Sequence, residues 1–311
     1  MKVRVPANDI SAMRRTPFRW LLIIASLALS NQVWSAGALV LQSDFGTRDG
    51  AVAAMKGVAI SVSPQLAIFD LTHEVPAFNI WEASLRLAQS ARYWPRGTVF
   101  VSVVDPGVGT GRKSIVLKTR SGHFFVSPDN GSLTSVAEQL GIESVREIDE
   151  SVNRLAHSEN SYTFHGRDVY AYTGARLAAG IIDFKEVGPA LPARVMMIPY
   201  QKPRYEKGTL YGNIEILDPQ FGNVWTNIDR AIFQKLNLQA GDEISILISN
   251  EDGPVLQQRL PYCSTFGQVV LGAPLLYLNS LDKVALAINQ GSYAASYGIG
   301  SGPGWNIEIR K

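Results

Sequence analysis

Apolar runs alternate with helical patterns through the first half of the chain, and this alternation restricts the fold to few architectures. The runs cover residues 39–42, 66–69, 98–104, 114–118 and 124–126. Most are too continuously apolar to be strands with one exposed face. We therefore predict a three-layer α/β domain with a largely parallel sheet over residues 36–193. Within it, Asn79 is the predicted N-cap of a helix, and Gly180 closes a second helix over residues 167–179.

The second half of the chain has a different pattern. Pro192, Pro199 and Pro203 lie in or beside a stretch without periodicity, which we interpret as a linker over residues 194–207. Beyond it, short apolar runs are separated by Gly, Asp and Pro, and a helical pattern is scarce. This arrangement indicates a small β-barrel or sandwich, and we predict a smaller β-barrel domain over residues 208–311.

The first 35 residues have the features of an export signal. Arg14, Arg15 and Arg19 precede an apolar run over residues 20–29, which is too short to span a bilayer comfortably. Small residues at Val33 and Ser35 predict cleavage before residue 36. We therefore expect a periplasmic or secreted protein with no membrane attachment after cleavage. An uncleaved membrane anchor is the alternative.

The charge balance argues against nucleic acid as a partner. The chain holds 29 Lys and Arg against 27 Asp and Glu, but the predicted leader contains five of the basic residues and one acid. The remainder is slightly acidic, so a nucleic-acid-binding role lacks its electrostatic basis. Cys263 is the only cysteine, and the four histidines show no HExxH spacing. We accordingly expect no intrachain disulfide and no zinc cluster.

Aspartates follow several of the predicted strands. Asp44, Asp70, Asp105 and Asp129 each stand near the end of an apolar run and are followed by turn-forming residues. The carboxyl ends of parallel strands form the edge where ligands bind in open α/β sheets. A carboxylate there can accept hydrogen bonds from both hydroxyls of a ribose. The sequence contains no GxGxxG or P-loop motif that would bind phosphates. A nucleoside without phosphates fits better, although each aspartate alone could serve only in a local turn.

Two further patterns contain residue types that can take part in catalysis. Asp105 and Arg112 bracket a glycine-rich turn, in which the guanidinium could orient the carboxylate. The alternative is a flexible turn with an exposed ion pair. His165 stands just before a predicted helix and could be an acid, a base or a hydrogen-bond partner. It could equally satisfy only backbone groups at the helix terminus.

Taken in order, these segments resemble the S-adenosyl-L-methionine hydrolases (adenosine-forming), also called SAM hydroxide adenosyltransferases, which are relatives of the fluorinase and chlorinase. The matching motifs lie at residues 43–46, 55–57, 70–73, 104–112, 128–131, 163–168, 218–227 and 278–280. Each motif alone is weak, but the ordered set is specific and covers both predicted domains. The resemblance implies an N-terminal α/β domain, a C-terminal β-barrel, and a homotrimer with active sites between neighbouring subunits.

The resemblance also implies a reaction, in which water attacks ribose C5′ of S-adenosyl-L-methionine and releases adenosine and L-methionine without metal or cofactor. The residues implied are Asp105, Arg112 and His165 as the catalytic triad; Asp44 for the ribose hydroxyls; Phe78 beside the ribose and sulfonium; Asp218 for the methionine ammonium; Phe221 and Asn223 for adenine; and Ser280 near the methionine carboxylate. An acid at position 105 favours water over halide. Leu281 stands where the fluorinase has an arginine, so carboxylate recognition must use other groups.

Two alternative functions remain open at this point. Asp44, Asp70, His73 and Asp105 could be the ligands of a metal-dependent hydrolase. The chain could also be an exported nucleoside-binding protein without turnover, which would bind adenosine and release no methionine.

Overall fold

The computed structural model describes residues 1–2 and 37–311. The predicted export signal and its cleavage site lie outside the described residues. In the part that is described, no helix combines the length and apolar character needed to cross a bilayer.

The N-terminal part of the chain forms a seven-stranded mixed sheet. Its strands are β1 (Leu39–Ser43), β2 (Ile68–Thr72), β3 (Val99–Val103), β4 (Ser114–Thr119), β5 (Phe124–Pro128), β6 (Ile142–Glu147) and β7 (Ala190–Leu191), in the spatial order β2-β1-β3-β5-β4-β6-β7. The pairs β1–β2, β1–β3 and β3–β5 are parallel, whereas β4 is antiparallel to both of its neighbours. Because β6 then runs in the same direction as β5, most of the sheet shares one direction. This confirms the predicted α/β class.

Helices cover both faces of this sheet. They are α1 (Ala51–Val62), α2 (Ile80–Ala91), α3 (Thr134–Leu140) and α4, which begins as a π-helical turn (Gly166–Ala171) and continues as an α-helix (Tyr172–Ala178); a 3-10 turn (Phe184–Val187) follows. Alternate residues of a strand face opposite sides of a sheet. Leu39 and Leu41 accordingly pack with α1 and α4, and Val40 packs with α2 and α3. The three layers follow from this alternation.

The C-terminal part is an antiparallel sheet that closes almost into a barrel. Its elements are β8 (Arg204–Glu206), β9 (Thr209–Leu217), β10 (Val224–Asp229), α5 (Arg230–Phe233), β11 (Glu243–Asn250), β12 (Gly253–Pro261), β13 (Pro274–Leu278), β14 (Lys283–Ile288), α6 (Tyr293–Tyr297) and β15 (Asn306–Arg310), with 3-10 turns at Gln234–Leu236 and Phe266–Gln268. The strand order is β12-β11-β15-β9-β10-β14-β13, and β8 pairs with β9. A bridge between Tyr262 and Leu276 joins the two outer strands. The predicted barrel is thus confirmed.

The two parts are joined by direct packing of α2 against β9. The indole Nε1 of Trp81 donates a hydrogen bond to the Glu215 carbonyl at 2.7 Å. Trp81 also packs with Ile216, Ile198 and Tyr200. Ile198 and Tyr200 lie in the predicted linker, so this stretch is anchored to both parts of the fold.

Two local features differ from the sequence-based expectation. β2 begins and ends later than the predicted run, which places Asp70 inside the strand and not after it. The helix predicted over residues 167–179 starts with the π-helical turn Gly166–Ala171. π-Helical turns are rare and are frequently found at functional sites. This one begins immediately after His165.

Candidate active site

A cavity of about 250 Å³ lies at the carboxyl ends of β1 and β3, where the start of α4 meets them. Its lining residues are Asp44, Phe45, Ala77, Phe78, Val103, Asp105, Val108, Thr163, His165 and Gly166. Four of the residues predicted to form the site therefore line one cavity. It occupies the edge of the sheet where α/β folds bind ligands.

An ion pair between Asp105 and Arg112 forms the polar end of this cavity. The guanidinium Nε donates to Asp105 Oδ1 at 2.8 Å, and Nη2 donates to Oδ2. Nη2 also lies 3.3 Å from His165 Nδ1. The carboxylate is 5% exposed and the guanidinium 11% exposed, so the pair is not the exposed, flexible one considered as an alternative. The structure brings the acid, the base and the imidazole together.

The contact with Arg112 determines the tautomer of His165. A guanidinium only donates hydrogen bonds, so Nδ1 must accept and the hydrogen of the neutral ring lies on Nε2. Burial lowers the pKa of His165 below its usual value, and the nearby Arg112 and Arg154 lower it further, although Glu150 and Asp105 act in the opposite direction. The ring is therefore neutral at pH 7. At Nε2 it is a hydrogen-bond donor and cannot act as a base.

Asp44 is fixed by the backbone of Phe78. The Phe78 N–H donates to Asp44 Oδ2 at 2.9 Å. Phe78 has a φ of 67°, an unfavourable left-handed conformation for a bulky residue, and its side chain is 71% exposed. Strained backbone of this kind is concentrated at binding and catalytic sites. It leaves the aromatic ring of Phe78 exposed beside a carboxylate whose orientation is set.

A chain of polar side chains supports the turn that carries Asp44. Ser43 Oγ lies 2.7 Å from His73 Nδ1, and His73 Nε2 lies 3.0 Å from Asp70 Oδ1. Lys56 Nζ donates to Asp70 Oδ2 at 2.5 Å. Although burial raises the pKa of Asp70, the hydrogen bonds from Lys56 and His73 outweigh it and lower the pKa overall. Since Ser43 is fully buried, this chain is a support for the loop and not a nucleophilic triad.

The same contacts argue against the metal-hydrolase alternative. The two proposed ligands His73 and Asp70 are engaged with each other and with Ser43 and Lys56, and Asp105 is paired with Arg112. Among residues 1–2 and 37–311, no group of three or more His, Cys, Asp or Glu side chains is arranged to hold a metal ion. These side chains, already engaged with one another and with Lys56 and Arg112, do not fit a metal centre.

The remaining predicted residues belong to the C-terminal part. Phe221 and Asn223 line a second cavity of about 610 Å³, together with Gln220, Phe266 and residues 288–292. Asp218 holds the preceding turn, because its Oδ1 accepts the N–H groups of Gln220 and Phe221. Ser280 is exposed in the turn after β13. The two cavities share no lining residue, and the predicted residues Arg112, Asp218 and Ser280 line neither of them.

The residues that lie behind the ion pair belong to none of the sequence motifs. Arg112 Nη1 donates to Ser114 Oγ at 3.1 Å, and Ser114 Oγ lies 3.2 Å from the Tyr170 hydroxyl. Glu150 approaches Ser114 and forms an ion pair with Arg154. In the sequence, Ser114 and Tyr170 stand within apolar patterns that are typical of the core positions of a strand and a helix. Their only available signal was a polar atom within an apolar pattern.

Comparison with known proteins identifies the family of this chain. The N-terminal domain of SAM hydroxide adenosyltransferases matches residues 39–188, and the C-terminal domain of the same family matches residues 212–306. The chain belongs to the SAM hydroxide adenosyltransferase family. The resemblance inferred from the ordered motifs is confirmed.

Named relatives of the chain fall into two groups. The chain is 36% identical over 219 residues to the (R)-S-adenosyl-L-methionine hydrolase of Methanocaldococcus jannaschii, a match that covers 69% of this chain and 74% of the relative. It is 30% identical over 290 residues to the fluorinase of Actinoplanes sp. (strain N902-109), covering 85% and 95% of the two chains. The named relatives therefore include both a hydrolase and a fluorinase.

A solved structure of a similar protein supports the fold described for this chain. The crystal structure of an uncharacterized conserved protein from Thermotoga maritima superimposes with a TM-score of 0.78 at 34% identity. The match covers 88% of this chain and all of the other. Both the α/β part and the barrel are therefore included in the likeness.

The tautomer of His165 generates a prediction about pH. When His165 is protonated, its Nδ1–H faces the Arg112 N–H groups. Because the pKa of His165 is lowered, activity should fall only at a pH below the range in which an ordinary histidine titrates. Asparagine at this position keeps an acceptor near Nδ1 but does not titrate. We expect His165→Asn to retain activity at pH 7 within about tenfold. It should lose the acid limb of the pH–rate profile, which is this fall in activity at low pH.

The control for this experiment is His157→Asn. His157 is exposed and has a φ of 65°, a conformation that asparagine tolerates. This variant should keep the acid limb of the wild-type rate profile. An unchanged acid limb in His165→Asn would contradict the assignment.

Proposed function

We propose that this protein hydrolyses S-adenosyl-L-methionine to adenosine and L-methionine. The observation that carries the proposal is the Asp105–Arg112–His165 cluster, in which Asp105 and His165 line one cavity with Asp44 and Arg112 holds both of them. In the proposed step, the water oxygen bonds to ribose C5′ and the C5′–S bond breaks, with its electron pair staying on sulfur. One water hydrogen remains on O5′, and the other leaves as a proton.

The chemistry requires mainly positioning. The sulfonium becomes a neutral thioether as it leaves, so no metal is needed to stabilise the leaving group. The protein must instead hold water in line with the C5′–S bond and exclude competing solvent. Water is a poor nucleophile at neutral pH, so we expect slow turnover.

Each residue of the cavity has a distinct task in this proposal. Asp105 accepts a hydrogen bond from the attacking water, and Arg112 holds the carboxylate in place. His165, with its hydrogen on Nε2, donates a hydrogen bond to the same network. Asp44 keeps Oδ1 for the ribose hydroxyls while Phe78 N–H occupies Oδ2.

The size of the first cavity supports a shared active site. Pockets for ligands of this class occupy roughly 300–1,000 Å³, more than the cavity at Asp105 provides. The second cavity has exposed apolar residues in or near it, with Phe221 66% and Phe266 42% exposed. We propose that the adenine of a substrate held at Asp105 enters the second cavity of a neighbouring subunit in a homotrimer. Phe221 would stack on the purine, and Asn223 would hydrogen-bond to its edge.

Asp218 and Ser280 complete this proposed site. Asp218 would bind the methionine ammonium, and Ser280 would lie near the methionine carboxylate. We further propose that the chain is exported and acts in the periplasm or outside the cell. Since hydrolase relatives are named for the (R) epimer, assays should use both sulfonium epimers.

The direct test is incubation of the purified protein with S-adenosyl-L-methionine, followed by chromatography. We expect equal amounts of adenosine and methionine, and Asp105→Asn should reduce their release at least about 100-fold, because the acceptor for the attacking water is lost. The matched control is Asp129→Asn. Asp129 also follows a strand, but its carboxylate accepts the Met196 N–H outside both cavities.

Three results would contradict the proposed reaction. The first is equal product release by Asp105→Asn and the wild type. The second is a 5′-halogenated nucleoside as the product in the presence of halide, which would favour the reaction named for the fluorinase relatives. The third is tight adenosine binding without methionine release, which would favour a nucleoside-binding protein.

The shared active site predicts complementation between inactive chains. Asp105→Asn damages the first cavity and Asn223→Ala damages the second, so each homo-oligomer should be inactive. When the two variants are co-expressed in equal amounts, about a quarter of the sites in a cyclic assembly combine two intact halves. We therefore expect co-expressed chains to recover up to about a quarter of the wild-type rate. No recovery in mixed oligomers would place the whole site within one chain.

A further inference from the structure

The hydrogen bonds of Asp105 leave little freedom for an attacking water. A carboxylate has about four acceptor positions. Arg112 Nε occupies one position on Oδ1, while Arg112 Nη2 and the Tyr170 hydroxyl occupy two on Oδ2. Among the described residues, no other group donates to this carboxylate. One position on Oδ1 is therefore the remaining acceptor.

Tyr170 reaches Asp105 from behind the cavity. Its side chain is fully buried in the π-helical turn after His165 and does not line the cavity. The hydroxyl lies 3.5 Å from Asp105 Oδ2 and 3.2 Å from Ser114 Oγ. Burial raises the pKa of Tyr170, and the negative charge of Asp105 raises it further, so the hydroxyl keeps its hydrogen.

Ser114 holds the opposite side of the guanidinium. It is buried at the start of β4, and its Oγ accepts from Arg112 Nη1 at 3.1 Å. Arg112 thus directs N–H groups at three partners, Asp105, His165 and Ser114. The guanidinium carbon Cζ of Arg112 also lies 5.7 Å from the centre of the Tyr170 ring. The guanidinium plane is fixed from both sides.

We infer that Tyr170 and Ser114 are positioning residues for hydrolysis. Together they fill the acceptor positions of Asp105 Oδ2 and fix the plane of the Arg112 guanidinium. Oδ1 alone can then accept a hydrogen bond from the attacking water. This inference rests on the proposed function. Because neither side chain lines the cavity, their effect should fall on the chemical step and not on nucleoside binding.

The test is Tyr170→Phe, which removes one buried oxygen and keeps the ring. We expect its single-turnover rate with enzyme in excess to fall about tenfold, because the carboxylate gains a second open acceptor position. The affinity for adenosine, measured by calorimetry, should change less than about twofold. Tyr172→Phe, two residues along the same helix, should match the wild type in both measurements, since the Tyr172 ring packs against Arg176 and does not line the cavity.

Ser114→Ala provides an independent variant and replaces Tyr170→Phe should that chain fail to fold. Since both side chains act on one ion pair, the double variant should lose less activity than the product of the two single losses. A Tyr170→Phe rate equal to that of Tyr172→Phe would overturn the inference. So would a parallel loss of adenosine affinity, which would indicate a change in cavity shape. Absence of adenosine release by the wild type would instead overturn the proposed function, and this inference with it.

Discussion

A buried bidentate ion pair between Asp105 and Arg112 holds the candidate site together. It closes the glycine-rich turn between the two residues and brings a guanidinium N–H to His165, which sets the tautomer of that ring. Removing one partner of such a pair leaves an uncompensated charge in a region of low polarity. The position of the Asp105 carboxylate, the tautomer of the imidazole and the charge of the cavity all depend on this contact.

The sheet topology explains how this pair can form. Asp105 follows β3 and Arg112 precedes β4, while β5 lies between these strands in the sheet. Because β4 is antiparallel to β5, its first residues lie at the same edge as the end of β3. The connecting turn therefore crosses the end of β5, where the Asp129 N–H donates to the Lys113 carbonyl. In an entirely parallel sheet, the two side chains would lie at opposite edges.

Sequence patterns predicted the parts of the structure that arise from local rules. The apolar runs located the first five strands to within a few residues, and Asn79 caps α2 as expected through its contact with the Glu82 N–H. The cluster of Asp105, Arg112 and His165 follows from the family resemblance and not from a local rule, because the spacing of these residues left other roles open for each. The later start of β2, the π-helical turn and the contacts of Tyr170 were not predicted, because they depend on tertiary packing. The order of the motifs likewise does not predict that Asp44 and Phe221 line two different cavities.

Incorporation of oxygen from labelled water tests the central claim, which is attack by water at ribose C5′. Turnover of S-adenosyl-L-methionine in water enriched in ¹⁸O, followed by mass spectrometry, locates the oxygen supplied by solvent. The account predicts adenosine that carries the label at O5′ and methionine that carries none. Adenosine without the label, or label found only in methionine, would contradict it.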